Sequence, residues 1–287
     1  GDPNDTVRMN PPRSLIERPA GPIDPEVHFI SFRSTDGRPI ALLANYSLHY
    51  VGGVPATTIS ADYFGIFAGH IEKSLGKDKS YVAIMSNGTG GDINNISFRV
   101  PRGRMERYQR MNEVAKLVSD RVLAAHTKVI FKKDITLAME QTLLTLKNRQ
   151  PTAKQVDYAK AVLSDNPPDP LPRLAEAYAH RTLGLANGPR EEEIVLQALR
   201  IGEVGITSIP CEVLCEIGLT IKANSPLPQS TFTIELANGH NGYLPTPRQH
   251  AMSGYETWMG TCTLEITASV KIQKVLMEML DIVAKDK

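Results

Sequence analysis

Apolar and polar positions alternate in blocks of changing period along this chain. Val27 to Arg33 and Pro39 to Tyr46 read as two strands, joined through the turn residues Thr35-Asp36-Gly37, so a hairpin is predicted. The second stretch, "PIALLANYSLH", is apolar almost throughout, as in a central strand buried on both faces, and it ends at His49. A helical pattern covers about 61–75, with Ser60 or Asp62 as its cap and Gly76 as its stop. A strand over 81–86 then opens into the glycine-rich loop "SNGTGGDINNIS", and an amphipathic helix follows over about 104–126.

Farther on, a strand is expected within 134–147 and helices over 152–164 and 171–184, split by the linker-like "DNPPDPLP". Ile194 to Ile201 and Gly205 to Ile209 read as paired strands. "PCEVLCEIGLTIKAN" reads as a helix with Glu212 in its first turn and Cys211 and Cys215 stacked on one face. A strand over 231–236 leads into the long loop "LANGHNGYLPTPRQHAMSGYET", and a helix over about 264–285 closes the pattern. Residues 1–25 carry six prolines and no period, so they read as an extended arm over the surface. The alternation of strands and helices predicts one layered α/β domain, a central mixed sheet flanked by helices, with a helical excursion at about 150–190.

Composition narrows the function classes. With 41% hydrophobic and 22% charged residues over 287 positions, the chain can bury a sizeable core. Its 32 basic and 31 acidic residues give a formal net charge of +1 and are spread along the chain, which does not predict nucleic-acid binding. No apolar run reaches the roughly 20 residues of a membrane span. The opening residues Gly1 to Asp5 are polar and carry no signal-peptide pattern. Three cysteines, Cys211, Cys215 and Cys262, make no disulfide framework and no zinc pattern, so they are expected to be ordinary buried thiols.

The chemistry concentrates at strand ends. The glycine-rich loop fails the phosphate templates, because Asp92 and Ile93 stand where a P-loop needs lysine and a hydroxyl. It approaches a metal ion or another piece of protein. His49, Asp92 and Glu212 each lie at or just past the end of an apolar strand, and such ends gather at one edge of an α/β sheet. An imidazole with carboxylates is the ligand chemistry of a catalytic zinc site. Each residue also has a plain structural role: a satisfied histidine, an Asx-turn aspartate, a glutamate favouring a helix N-terminus.

Four segments in order, "GPIDPEVHFISFRSTDGRPIALLANYSLH", "NGTGGDINNIS", "IPCEVLCEIG" and "LANGHNGYLPTPRQHAMSGYET", resemble the neutral/alkaline (non-lysosomal) ceramidase family. The likeness is to its short bacterial relatives, without the C-terminal immunoglobulin-like domain, and is weak between 150 and 190. It implies a zinc-dependent hydrolase of an amide, an N-acyl bond, acting on a small-molecule or lipid substrate. His49 falls on a zinc histidine, Glu212 on the zinc glutamate and Tyr243 on the zinc-bound tyrosine. Tyr255 falls on the tyrosine that assists at the reacting carbonyl. Asp92 and Asn94 are implied to line the mouth of the cleft, and a periplasmic or secreted home is implied as well.

Two departures stand out. Asn94 replaces the family's serine in Gly91-Asp92-Ile93-Asn94-Asn95, which excludes a serine nucleophile there. No two histidines of the chain are two apart, so the family's His-x-His segment has no counterpart. The resemblance therefore covers the C-terminal two-thirds of a domain, with the N-terminal part expected on a missing segment or a second chain. On that expectation the chain alone binds zinc poorly and associates with its missing part or with itself. The alternative reading is a non-catalytic metal- or partner-binding subunit completed by another polypeptide.

Overall fold

The computed structural model describes residues 6–101, 103–227 and 229–285; the polar stretch Gly1 to Asp5 lies outside them. The predicted hairpin forms from β1 (Val27–Arg33) and β2 (Pro39–Tyr46), and Gly37 takes φ +91° in its turn. Helix α1 (Asp62–Leu75) returns the chain to β3 (Val82–Asn87), which pairs parallel to β2 on its other edge. Leu42, Ala44, Ala83 and Met85 are buried beneath α1 and α2 (Gln109–His126), which supply Phe67, Ile71, Val114 and Val118 to the same core. Helix α2 begins five residues later than its pattern predicts, after Tyr108 in a left-handed conformation.

A second mixed sheet carries the order β4-β5-β6-β8, from β4 (Leu137–Lys147), β5 (Glu191–Ile201), β6 (Val204–Ile209) and β8 (Ser230–Glu235). Helix α7 (Ala268–Lys285) crosses β4 and β5, and its buried stripe of Ile272, Leu276, Leu280 and Val283 packs on Leu146, Ile194 and Leu196. Between β4 and β5 the chain makes α3 (Ala153–Val162) and α4 (Ala175–Asn187), which pack mainly on each other through Ala159, Val162 and Ala179. The expected α/β layering is present, with the mixed pairing divided between two sheets. They meet where Asn45 Nδ2 donates to the Thr233 carbonyl at 3.2 Å.

One sequence expectation is corrected. Glu212 is not in the first turn of a helix: it lies in β7 (Glu212–Val213), paired parallel with β9 (Tyr243–Leu244), and α5 (Cys215–Asn224) starts only after Leu214. The Glu212 N–H donates to Gly242 at 2.9 Å and that of Val213 to the Glu235 carboxylate at 2.7 Å, so both are held outside any helical ladder. Cys211 and Cys215 consequently share no helix face. Both are buried free thiols, and burial pushes Cys215 up to about 12.

Candidate functional site

The three glycines of the quoted loop are required by close backbone approach. A Cβ on Gly88 would stand 2.5 Å from Ser47 Oγ, one on Gly90 3.1 Å from the Leu48 nitrogen, and one on Gly91 2.9 Å from the Glu212 carbonyl oxygen. The loop therefore lies wedged between the end of β2 and β7, and the Gly91 N–H donates to the Val213 carbonyl at 2.9 Å. That answers what the loop approaches: protein backbone, on the segments that carry His49 and Glu212.

His49 is fixed from both ends of its segment. Its amide donates to the Ile93 carbonyl at 3.1 Å, and the Asp62 carboxylate accepts the N–H groups of Val51 and Gly52 at 2.9 and 2.7 Å. Asp62, expected as a helix cap, thus pins the turn after the histidine. The ring's Nδ1 faces the Gly90 carbonyl at 2.9 Å. A carbonyl only accepts, so Nδ1 carries the proton and Nε2 presents a lone pair.

Nε2 faces one oxygen from each of the other two segments. Tyr243 Oη lies 3.3 Å from His49 Nε2, and Glu212 Oε2 lies 3.6 Å from it. Glu212 and Tyr243 are direct partners across the β7–β9 ladder, and the Glu212 carboxylate faces the Tyr243 phenol. Burial and then the Glu212 carboxylate push the Tyr243 phenol up, which favours its protonated form. Each of the three expected ligands meets the other two.

The remaining expected residues stand around this point. Tyr255, in the short turn Tyr255–Thr257, packs edge-on against Tyr243 with ring centroids 5.8 Å apart, and Trp258 follows at 5.6 Å. Burial raises the Tyr255 phenol, which keeps it a proton donor at neutral pH. Asp92 accepts the Cys215 N–H at 2.8 Å and so caps α5 from another loop; burial raises its carboxyl. Asn94 is exposed and donates to Asn10 Oδ1 at 3.1 Å, on the proline-rich arm. The arm also touches the segment between Tyr243 and Tyr255, where the Thr6 N–H donates to the Met252 carbonyl at 3.2 Å.

Several site residues escaped sequence reasoning. A cleft of about 290 Å³ is lined by Glu212, Tyr243 and Tyr255 together with Arg181, His240 and Thr261. Arg181 comes from α4, in the stretch with the weakest motif signal, and its guanidinium lies over the Tyr178 ring at 5.1 Å. Tyr178 in turn bonds Thr261 at 2.7 Å. His240 Nε2 stands 3.5 Å from Glu212 Oε1, the oxygen turned away from His49. The one available signal for His240 was its place three residues before Tyr243 in the same loop.

Among the described residues, no three His, Cys, Asp or Glu side chains close into a metal-holding group by themselves. The donors that meet include a phenol. An imidazole nitrogen with a lone pair, a carboxylate and a phenol oxygen at one point fit a divalent ion such as zinc, which takes nitrogen and oxygen ligands. The second bond of His49 to a backbone carbonyl is the orienting contact such a ligand needs.

No family model matches the chain, and no curated protein matches it in sequence. Solved structures do. Neutral ceramidase from Pseudomonas aeruginosa superposes with a TM-score of 0.66 at 16% identity, over 92% of this chain and 47% of that one. A ceramidase complexed with C2 gives 0.65 at 15% identity, over 92% and 48%. The chain thus shares their fold and spans about half the length of the ceramidases it matches.

Proposed function

We propose that this chain is a zinc-dependent hydrolase of the neutral ceramidase family, cleaving an amide of the N-acyl type. The observation that carries this reading is the mutual contact of His49, Glu212 and Tyr243, which come from three distant segments. The fold shared with solved ceramidases supports the reaction class. Ceramide is one candidate substrate among N-acyl amides.

His49, Glu212 and Tyr243 would hold the ion. When bound, zinc supplies a Lewis acid for the amide carbonyl and lowers the pKa of a coordinated water toward neutrality. The chain's own part is orientation and proton placement. The Gly90 carbonyl keeps the His49 proton on Nδ1, and the β7–β9 ladder fixes Glu212 opposite Tyr243. Tyr255, protonated at neutral pH, donates to the oxygen that gains negative charge in the transition state. Asp92 acts indirectly, by holding the start of α5 beside β7. Asn94 and the arm form the rim that a substrate crosses.

The test is metal analysis of the purified chain beside hydrolysis of a fluorescent N-acyl amide, ceramide included. A chelator should abolish turnover and zinc restore it, while His49→Ala and Tyr243→Phe lose both metal and activity. Turnover that survives complete metal removal would sink the proposal.

A second reading, a metal- or partner-binding subunit without turnover, has its own observation. Leu137, Met139 and Leu143 share one face of β4 at 69%, 55% and 55% exposure, a surface suited to further polypeptide. Light scattering decides its weight: an active monodisperse monomer rejects it, and an inactive associating chain supports it.

A further inference from the structure

We infer that Arg181 sets the specificity of the cleft, and that the substrate is an N-acyl amino acid whose α-carboxylate it binds. The inference rests on the amide-hydrolase reading above and narrows it, by naming the half of the substrate that the cleft seats.

The lining of the cleft sets the class. At about 290 Å³ it lies at the small end of ligand cavities. Among the described residues, no Val, Leu, Ile, Met or Phe lines it. Its walls are hydroxyls, phenols, an amide, an imidazole and a carboxylate, with Arg181 as the one permanent cation. Alkyl chains meet no aliphatic wall here. A compact, charged amine half fits, with the acyl tail directed out of the cleft.

Arg181 is placed for an anion. Gly260, at φ +86°, leaves room for its stem: a Cβ there would stand 2.6 Å from Arg181 Cβ. The guanidinium rests over the Tyr178 ring at 5.1 Å, and Tyr178 is tied to Thr261 of the cleft wall at 2.7 Å. Its charge is not neutralised. Glu212 turns its two oxygens toward His49 and His240, and among the described residues no acid forms an ion pair with Arg181. That charge is felt at the site: burial and Tyr178 raise the Tyr255 phenol, and Arg181 acts against the rise. A guanidinium presents a planar fork of N–H donors that matches a carboxylate, and stacking on a ring leaves the fork free. In an N-acyl amino acid the carboxylate hangs on the carbon bonded to the amide nitrogen. Arg181 and Tyr255 then address neighbouring atoms of one small group. Water adds its hydroxyl to the acyl carbon and a proton to the departing nitrogen as the C–N bond breaks. The products are a carboxylic acid and a free amino acid.

Calorimetry on the full chain, with chelator present to prevent turnover, compares N-octanoylglycine, neutral N-octanoylethanolamine and N-butylsuccinamate, whose carboxylate lies on the acyl side. Arg181→Gln keeps the stem against Gly260 and removes the charge, and circular dichroism checks its fold. It should weaken N-octanoylglycine by about tenfold to a hundredfold, as loss of hydrogen bonds to a charged group does, and leave N-octanoylethanolamine unchanged. Arg181→Lys should restore part of the loss, and Arg181→Glu should deepen it. With zinc restored, kcat/KM for the glycine conjugate should exceed that for the ethanolamide and lose this preference in Arg181→Gln. A wild type that binds none of the three, or an Arg181→Gln protein that binds N-octanoylglycine as wild type does, overturns the inference. A loss confined to N-butylsuccinamate overturns it too, by moving the carboxylate to the acyl half. If the carboxylate preference in binding is present but no amide is hydrolysed, the hydrolase reading falls and Arg181 remains the anion-binding residue of the cleft.

Discussion

Glu235 Oε2 accepts the Val213 N–H at 2.7 Å, so a carboxylate that is only 4% exposed grips the residue next to Glu212. The Gly90 backbone, whose carbonyl orients His49, also faces this carboxyl and favours its charged form. One buried group thus ties together the two segments that carry the proposed ligands. Removing it in Glu235→Ala leaves the buried Val213 N–H without its acceptor, a cost of about 1–3 kcal/mol. Glu235→Gln keeps an acceptor oxygen and should cost far less.

The pH dependence separates these variants further. Burial raises the Glu235 carboxyl well above its ordinary value, so the folded state binds this proton more tightly than the unfolded chain does. Its contribution is fully present below the unfolded carboxylate range and is lost as pH rises through the raised folded value. Thermal unfolding across pH should show that slope in wild type and a flatter profile in Glu235→Gln. An identical slope in both would remove Glu235 as its source.

Much of the site was legible because its motifs are local in sequence, and the remainder was hidden because it is not. His49, Glu212, Tyr243 and Tyr255 lie in segments whose order carries the resemblance, and the hairpin of β1 and β2 follows from its turn residues. Glu212 reads as helical in the sequence because β7 has two residues and exists only through pairing with Tyr243, thirty-one positions later by sequence number. Glu235 closes an alternating strand, where a terminal acid reads as solvent-facing; its burial depends on β7 and the Gly90 loop arriving from elsewhere. Likewise, the division into two sheets rests on long-range pairing that periodicity does not encode.

His250 gives a pH prediction of the opposite sign. Burial, followed by the Arg149 charge, lowers it to about 4 from its ordinary 6.5. The folded chain therefore holds it neutral while the unfolded chain protonates it near its ordinary value. That contribution is present above pH 6.5 and is lost progressively as pH falls toward 4. His250→Gln should reduce the acid sensitivity of unfolding in this window, with little change above neutrality. Equal acid sensitivity in both proteins would assign the effect to other groups.

Gly91 tests the wedge between the loop and β7. A Cβ there would meet the Glu212 carbonyl oxygen at 2.9 Å and the Val213 carbonyl carbon at 3.0 Å, both backbone atoms that cannot rotate away. Gly91→Ala should push β7 outward, cost about 1–3 kcal/mol as overpacking does, and weaken zinc affinity by displacing Glu212. Gly103, whose Cβ would meet nothing within 4 Å, is the control, and Gly103→Ala should leave both unchanged. Unaltered zinc affinity in a destabilised Gly91→Ala would show that the loop supports the fold without setting the ligand position.

Tyr243 and Tyr255 offer the sharpest separation of binding from chemistry, because their rings touch at 5.8 Å while their proposed roles differ. Tyr243→Phe removes an oxygen that lies 3.3 Å from His49 Nε2, so metal affinity and turnover should fall together. Tyr255→Phe keeps the ring against Tyr243 and Trp258 and removes only a phenol that burial holds protonated. Loss of one donor to the developing oxyanion typically lowers kcat by about 10²–10³. Zinc content and KM should then stay near wild type while kcat falls by that order. Steady-state kinetics on an N-acyl amide with parallel metal analysis measures all three quantities. A Tyr255→Phe protein that loses zinc would make Tyr255 part of the metal site, and one with undiminished kcat would leave the oxyanion without the donor assigned to it.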